Sequence, residues 1–100
     1  MSLVSIPFQP MFREAMLDGC KILTSRPRAM AVPGDKFKAF GAEFEVEIVT
    51  RTTVAYVAAN LWAQEGCESE GDFWKVWRQI HPRRPDPQRV IFVHRFKRIK

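Results

Sequence analysis

Lys21, Thr24 and Arg26 follow Gly19 in the run Leu17-Asp18-Gly19-Cys20-Lys21-Ile22-Leu23-Thr24-Ser25-Arg26. An amine, a hydroxyl and a guanidinium thus meet where the backbone changes direction, between an amphipathic helix and a short strand. Such a cluster can bind an anion or attack a carbonyl. Taken singly, Lys21 also fits an exposed lysine at the start of a strand, and Thr24 an ordinary strand threonine favoured by its branched side chain. Residues 21 and 24 are three apart and point to opposite faces of a regular strand, so only a bend or irregular start after Gly19 lets them meet. A second candidate lies downstream. Positions 54, 57, 58, 61 and 65 share one helical face, so Glu65 extends an apolar stripe. A carboxylate there is disfavoured by desolvation and by the negative end of the helix dipole, so either a cation stands opposite it or the last turn frays and Glu65 points to solvent.

Ser5-Ile6-Pro7-Phe8 is a short opening strand that Pro7 confines to an edge. Pro10 opens a helix of about two turns with Phe12, Ala15 and Met16 on one face, and Gly19 ends it. Residues 20–26 form a strand, Pro27 to Gly34-Asp35 a loop closed by a turn, and Lys36 to Phe40 a further strand. Glu43 to Ile48 alternates, with Phe44, Val46 and Ile48 toward the core and three glutamates toward water. Thr52 or Thr53 caps a helix running to Glu65, where Gly66 stops it. Ser69 and Asp72 resemble a capping box for a third helix with Phe73, Val76, Trp77 and Ile80 on its buried face, ended by Pro82. Val90 to Ile99, with Phe92, His94 and Phe96 on one face and Ile91 and Val93 on the other, is a strand apolar on both faces and so central in its sheet.

One hundred residues, 46% apolar, make one domain (1–100) with a single modest core. The start of the chain lacks the pattern of a signal peptide and no stretch approaches a membrane span, which gives a cytoplasmic protein with no membrane partner. Cys20 and Cys67 have no neighbours at metal-ligand spacing, so no metal and no cofactor is expected, and neither thiol is assigned a role. His81 and His94 lack partners at triad or ligand spacing and read as structural. Of the tryptophans, Trp62 and Trp77 lie on buried stripes, whereas Trp74 and Tyr56 lie off theirs and are candidates for base stacking. The net charge of +5 is unevenly placed: residues 1–74 carry −3 and residues 75–100 carry +8. The basic end, including Arg83, Arg84, Arg89, Arg95, Lys97 and Lys100, suits a polyanion such as single-stranded RNA, or equally a solvated surface.

The motifs resemble those of the ASCH domains, small relatives of the PUA fold. There a helix ending in Gly is followed by Lys, Thr and Arg at these spacings, then by a Gly-Asp turn, here Gly34-Asp35. Farther on come a helix ending in an acidic residue, here Glu65-Gly66, and a second helix opening on Ser and acidic residues, here Ser69-Glu70-Gly71-Asp72. The resemblance covers nearly the whole chain. It implies an α+β fold: a small PUA-like β-barrel of five or six strands with about three helices packed outside. It also implies that Lys21 or Arg26 is the cation facing Glu65.

Among small bacterial members similar to this chain is an amidohydrolase that removes the acyl group from N4-acetylcytidine with a Lys, a Thr and a Glu. Matched motif by motif, these are Lys21, Thr24 and Glu65. The Thr24 hydroxyl then attacks the amide carbonyl, Lys21 takes the proton, and Glu65 positions the lysine or the leaving amine. Arg26 and Gly19 fall at the substrate, Arg26 on the oxyanion or on a ribose or phosphate oxygen. The chain departs from the family pattern at Ile22, which replaces a common Thr, at Cys20, which replaces a common basic residue, and in its Trp-rich third helix and basic tail. Two other readings remain, a non-catalytic RNA-binding module and a ribonuclease. The expected partner in each case is a nucleoside or single-stranded RNA, bound by a monomer or weak dimer.

Overall fold

β4 (Val90–Arg98) is the spine of the sheet, flanked on one side by β1 (Leu23–Arg26) and on the other by β3 (Ala42–Thr53), with β2 (Lys36–Ala39) at the far edge; the order is β1-β4-β3-β2, all antiparallel. The structure is a computed structural model and describes residues 2–83 and 86–100. β2 and β3 form a hairpin whose two turn residues, Phe40 and Gly41, both take positive φ (53° and 78°), the backbone that a two-residue hairpin with right-twisted strands requires. Among the described residues three helices complete the α+β fold: α1 (Arg13–Leu17), entered through a 3₁₀ turn at Pro10–Phe12, α2 (Val54–Asn60) and α3 (Glu70–Ile80). Among the described residues no helix is long and apolar enough to cross a membrane.

β4 lies between two cores, which explains its apolar residues on both faces. Ile91 and Val93 pack with Leu23, with Val54, Val57 and Ala58 of α2, and with Phe73 and Trp77 of α3. Phe96 packs with Ile6, Met16, Phe37, Phe44 and Val46. In that second core the rings of Phe37, Phe44 and Phe96 lie 5.2–5.5 Å apart in stacked and edge-on pairs. Burying each such ring contributes on the order of 2 kcal/mol.

The structure departs from the expected elements at several points. The sheet has four strands among the described residues, an open half-barrel, not five or six strands. Residues 5–8 form no strand, because the chain pairs earlier, in an isolated parallel bridge of Leu3 with Lys36, and then turns away through Pro7. Ile48 is 51% exposed instead of buried: the register of β3 on β4 shifts between Val46 and Ile48, and a bulge there reverses the faces beyond it, so that Val49 packs inward. At the third helix Ser69 accepts from the Asp72 amide as expected, but the Asp72 carboxylate accepts from the Glu68 amide and Ile80 lies on the surface.

The helix expected to run to Glu65 is interrupted. α2, capped by Thr53, ends at Asn60, and the chain continues to Glu65 as a separate turn. That turn closes with the Gly66 amide donating to the Ala63 carbonyl at 3.0 Å and the Cys67 amide to the Trp62 carbonyl at 3.0 Å. This is the Schellman pattern, with Gly66 in the left-handed conformation at φ 90°. Gly66 is thus the stop that the sequence indicates, for an extra turn and not for α2 itself.

Candidate functional site

That extra turn docks end-on against the start of β1. The Gln64 carbonyl accepts from the amides of Ile22 and Leu23 at 2.9 and 3.1 Å, and the Lys21 amide donates to the Ala15 carbonyl of α1. Regular pairing of β1 with β4 begins only at Leu23. The irregular stretch before it swings Lys21 inward and resolves the spacing problem: Lys21 (3% exposed), Thr24 (5%), Ser25 (9%) and Glu65 (6%) are all buried and line one cleft. Gly66 permits the approach, since a Cβ at that position would stand 3.0 Å from the Lys21 Cβ.

The Lys21 amine donates to the Leu23 carbonyl at 2.8 Å, the Glu65 carbonyl at 2.8 Å and Glu65 Oε1 at 3.2 Å. Three acceptors match the three donors of an ammonium. The expected cation opposite Glu65 is therefore Lys21, which also neutralises the carbonyl end of the turn. Burial pushes the Lys21 ammonium below the ordinary lysine value, a shift that Glu65 opposes and Arg26 reinforces. The other carboxylate oxygen, Oε2, accepts from the Ser25 hydroxyl. Arg26 donates from Nε to Thr24 Oγ1 at 3.0 Å and from its terminal nitrogen to the Pro7 carbonyl. Burial holds its guanidinium below the usual arginine value, again opposed by Glu65.

The cleft, about 340 Å³, is closed on one side by residues 7–12 and on the other by α3. Phe12 lies 4.4 Å under the Lys21 ammonium and Phe8 5.0 Å from the Arg26 guanidinium. Phe73 and Trp77 stack at 5.9 Å, and His81 sits against Trp77 at 4.2 Å. A planar ligand of nucleoside size fits such a space, with apolar rings on its walls and charged groups at one end. Cys67 lies at the cleft too, but burial and the nearby carboxylates of Asp72 and Glu65 push its thiol up to about 11. At neutral pH it is no thiolate nucleophile.

Gly19 ends α1 as expected and does not line the cleft. Arg95 and Lys97 are exposed on the sheet and face Glu47 (3.4 Å) and Glu45 (4.0 Å), which offsets much of their charge. Arg83 and Arg89 flank a more open hollow that shares His81 with the cleft. Lys100 is exposed at the chain end, and Arg84 lies outside the described residues. Trp74 is half-buried against the helix core and Tyr56 is exposed. Among the described residues no cluster of His, Cys, Asp and Glu is placed to hold a metal ion.

Ser25 escaped the reading of the sequence, whereas His94, read as structural, has a structural role at the site. Ser25 is four residues from Lys21, an even spacing that a strand places on one face, and this signal was present in the chain. His94 is fully buried; its Nε2 accepts from the Met30 amide at 2.9 Å and its Nδ1 lies 3.2 Å from the Thr24 carbonyl. Those contacts define a neutral ring protonated at Nδ1 that fixes Thr24 from behind, a role with no local signal.

The crystal structure of an ASCH domain from Lactobacillus crispatus superposes with a TM-score of 0.68 over 97% of this chain and 78% of that one, at 13% identity. The fold is that of an ASCH domain. A crystallised hypothetical protein, PH0355, matches with a TM-score of 0.71 at 16% identity over 98% of this chain and 97% of its own. A Pyrococcus furiosus protein solved by NMR matches at 0.67 and 13% over 99% and 96%. No protein-family model matches the chain, and no curated protein matches its sequence.

Proposed function

We propose that the cleft hydrolyses the acyl amide of a nucleoside of the N4-acylcytidine kind. The observation that carries this reading is the buried Lys21–Glu65 pair, which lies beside β1 hydroxyls at the charged end of an aromatic-walled cleft. A carboxylate is a poor neighbour for a phosphate, and a cleft made only to hold one would not bury an acid in it. In the assignment that the ASCH resemblance implies, a β1 hydroxyl, Thr24, attacks the carbonyl. The Lys21–Glu65 pair handles the proton, and Arg26, held by Thr24 and Pro7, keeps donors free for the oxyanion. The base stacks between the Phe8/Phe12 and Phe73/Trp77 walls. Incubation with N4-acetylcytidine tests the reading: cytidine should appear with the wild-type protein and not with Lys21→Ala. Release that is absent from the wild type, or equal in the two proteins, rules it out.

The hollow flanked by Arg83 and Arg89, which shares His81 with the cleft, favours a second reading. Here a nucleotide of single-stranded RNA is held with its base in the cleft and its phosphates toward these arginines, without chemistry.

A further inference from the structure

The hydroxyl in contact with the acid of the cleft is not that of Thr24. Ser25 donates to Glu65 Oε2 while Glu65 Oε1 accepts from Lys21. A hydroxyl, a carboxylate and an ammonium therefore stand in line. Thr24 Oγ1 instead accepts from the Arg26 guanidinium, which draws electron density away from that oxygen. Lys21 has given all three donors to oxygens, so as an ammonium it has no lone pair with which to take a proton. Glu65 has one, already directed at Ser25.

Resting on the hydrolase reading above, we propose that Ser25 is the nucleophile and Glu65 its general base, with Lys21 as the fixed cation that holds the carboxylate in place. Ser25 Oγ bonds to the amide carbonyl carbon as its proton passes to Glu65. The resulting oxyanion collapses, the C–N bond breaks, and Glu65 returns the proton to the departing amine nitrogen. An ester on Ser25 remains. Water then adds to the ester carbonyl, giving its proton to Glu65; the ester C–O bond breaks, Ser25 Oγ recovers the proton, and the carboxylic acid leaves. Thr24 positions Arg26 over the developing oxyanion, so it acts through another residue.

The test is to quench the wild-type protein during turnover of N4-acetylcytidine and map the acetylated residue by peptide mass spectrometry, with cytidine release measured for Ser25→Ala and Thr24→Val. The acetyl group should sit on Ser25. Ser25→Ala should lose turnover on the order of 10³-fold or more, as for an enzyme deprived of its nucleophile. Thr24→Val should lose roughly tenfold, the effect of a loosened oxyanion contact, with the adduct still on Ser25. Mapping in the wild type decides the matter even if Ser25→Ala fails to fold. An acetyl group on Thr24, or full turnover by Ser25→Ala, overturns the assignment and leaves the hydrolase reading standing. A wild-type protein with neither turnover nor adduct overturns both.

Discussion

Lys21 and Glu65 are both buried and bonded to each other, an arrangement that folding alone does not favour. Desolvating two charges costs about as much as their attraction returns, and removing one partner leaves the other stranded. Lys21→Met, which strands the Glu65 carboxylate, should therefore cost about 3–5 kcal/mol, seen as a lowered denaturation midpoint. Adding Glu65→Leu should recover part of that loss. A double variant less stable than Lys21→Met would show that the pair is a net stabiliser. His94 gives a pH-dependent expectation. Burial and Arg26 lower its folded-state value below 6.5, opposed by its bonds to the Thr24 and Phe92 backbone and by Glu65. Because the folded protein prefers the neutral ring, this contribution is complete above about pH 6.5 and fades as pH falls through the lowered folded value. The melting temperature should drop from pH 7 to pH 5, and the drop should be shallower in His94→Gln; equal slopes would remove His94 as the cause.

Elements were legible in the sequence wherever local chemistry decides them. The Thr53 and Ser69 caps, the alternation of β4 and the stops at Gly19 and Gly66 are all local, and all recur in the fold. What escaped detection depends on distant partners. The bulge after Val46 is imposed by register against β4, and no residue within β3 announces it. Nor does the helical period distinguish one helix to Glu65 from a short α2 plus a docked turn, since both keep residues 57, 61 and 65 on one side. The site was legible to the extent that Lys21, Thr24 and Glu65 meet in one cleft; Ser25 was passed over because a serine beside a threonine in a strand looks ordinary. The docked turn has its own test. Gly66→Ala places a side chain at positive φ and against the Lys21 stem, and should cost about 1–3 kcal/mol. Thermal melts at wild-type stability would mean that the turn is not held as described.

Across the whole molecule, the +8 of residues 75–100 is partly spent within the fold, where Arg95 and Lys97 face glutamates of β3. Any binding of single-stranded RNA should weaken steeply with salt. The arginines beside the cleft should carry that dependence: replacing Arg83 and Arg89 by Ala should flatten the log–log salt slope by roughly 1–2, whereas replacing Arg95 and Lys97 should change it less. The reverse order would place the polyanion on the sheet. The central claim, that this fold buries the Lys21–Glu65 pair for chemistry, is tested most directly by measuring cytidine release from N4-acetylcytidine by the wild type and by the Lys21→Met/Glu65→Leu variant at matched folded fractions. Release by the wild type alone is expected; equal release by both proteins, or none by either, would mean that the pair is not there for chemistry.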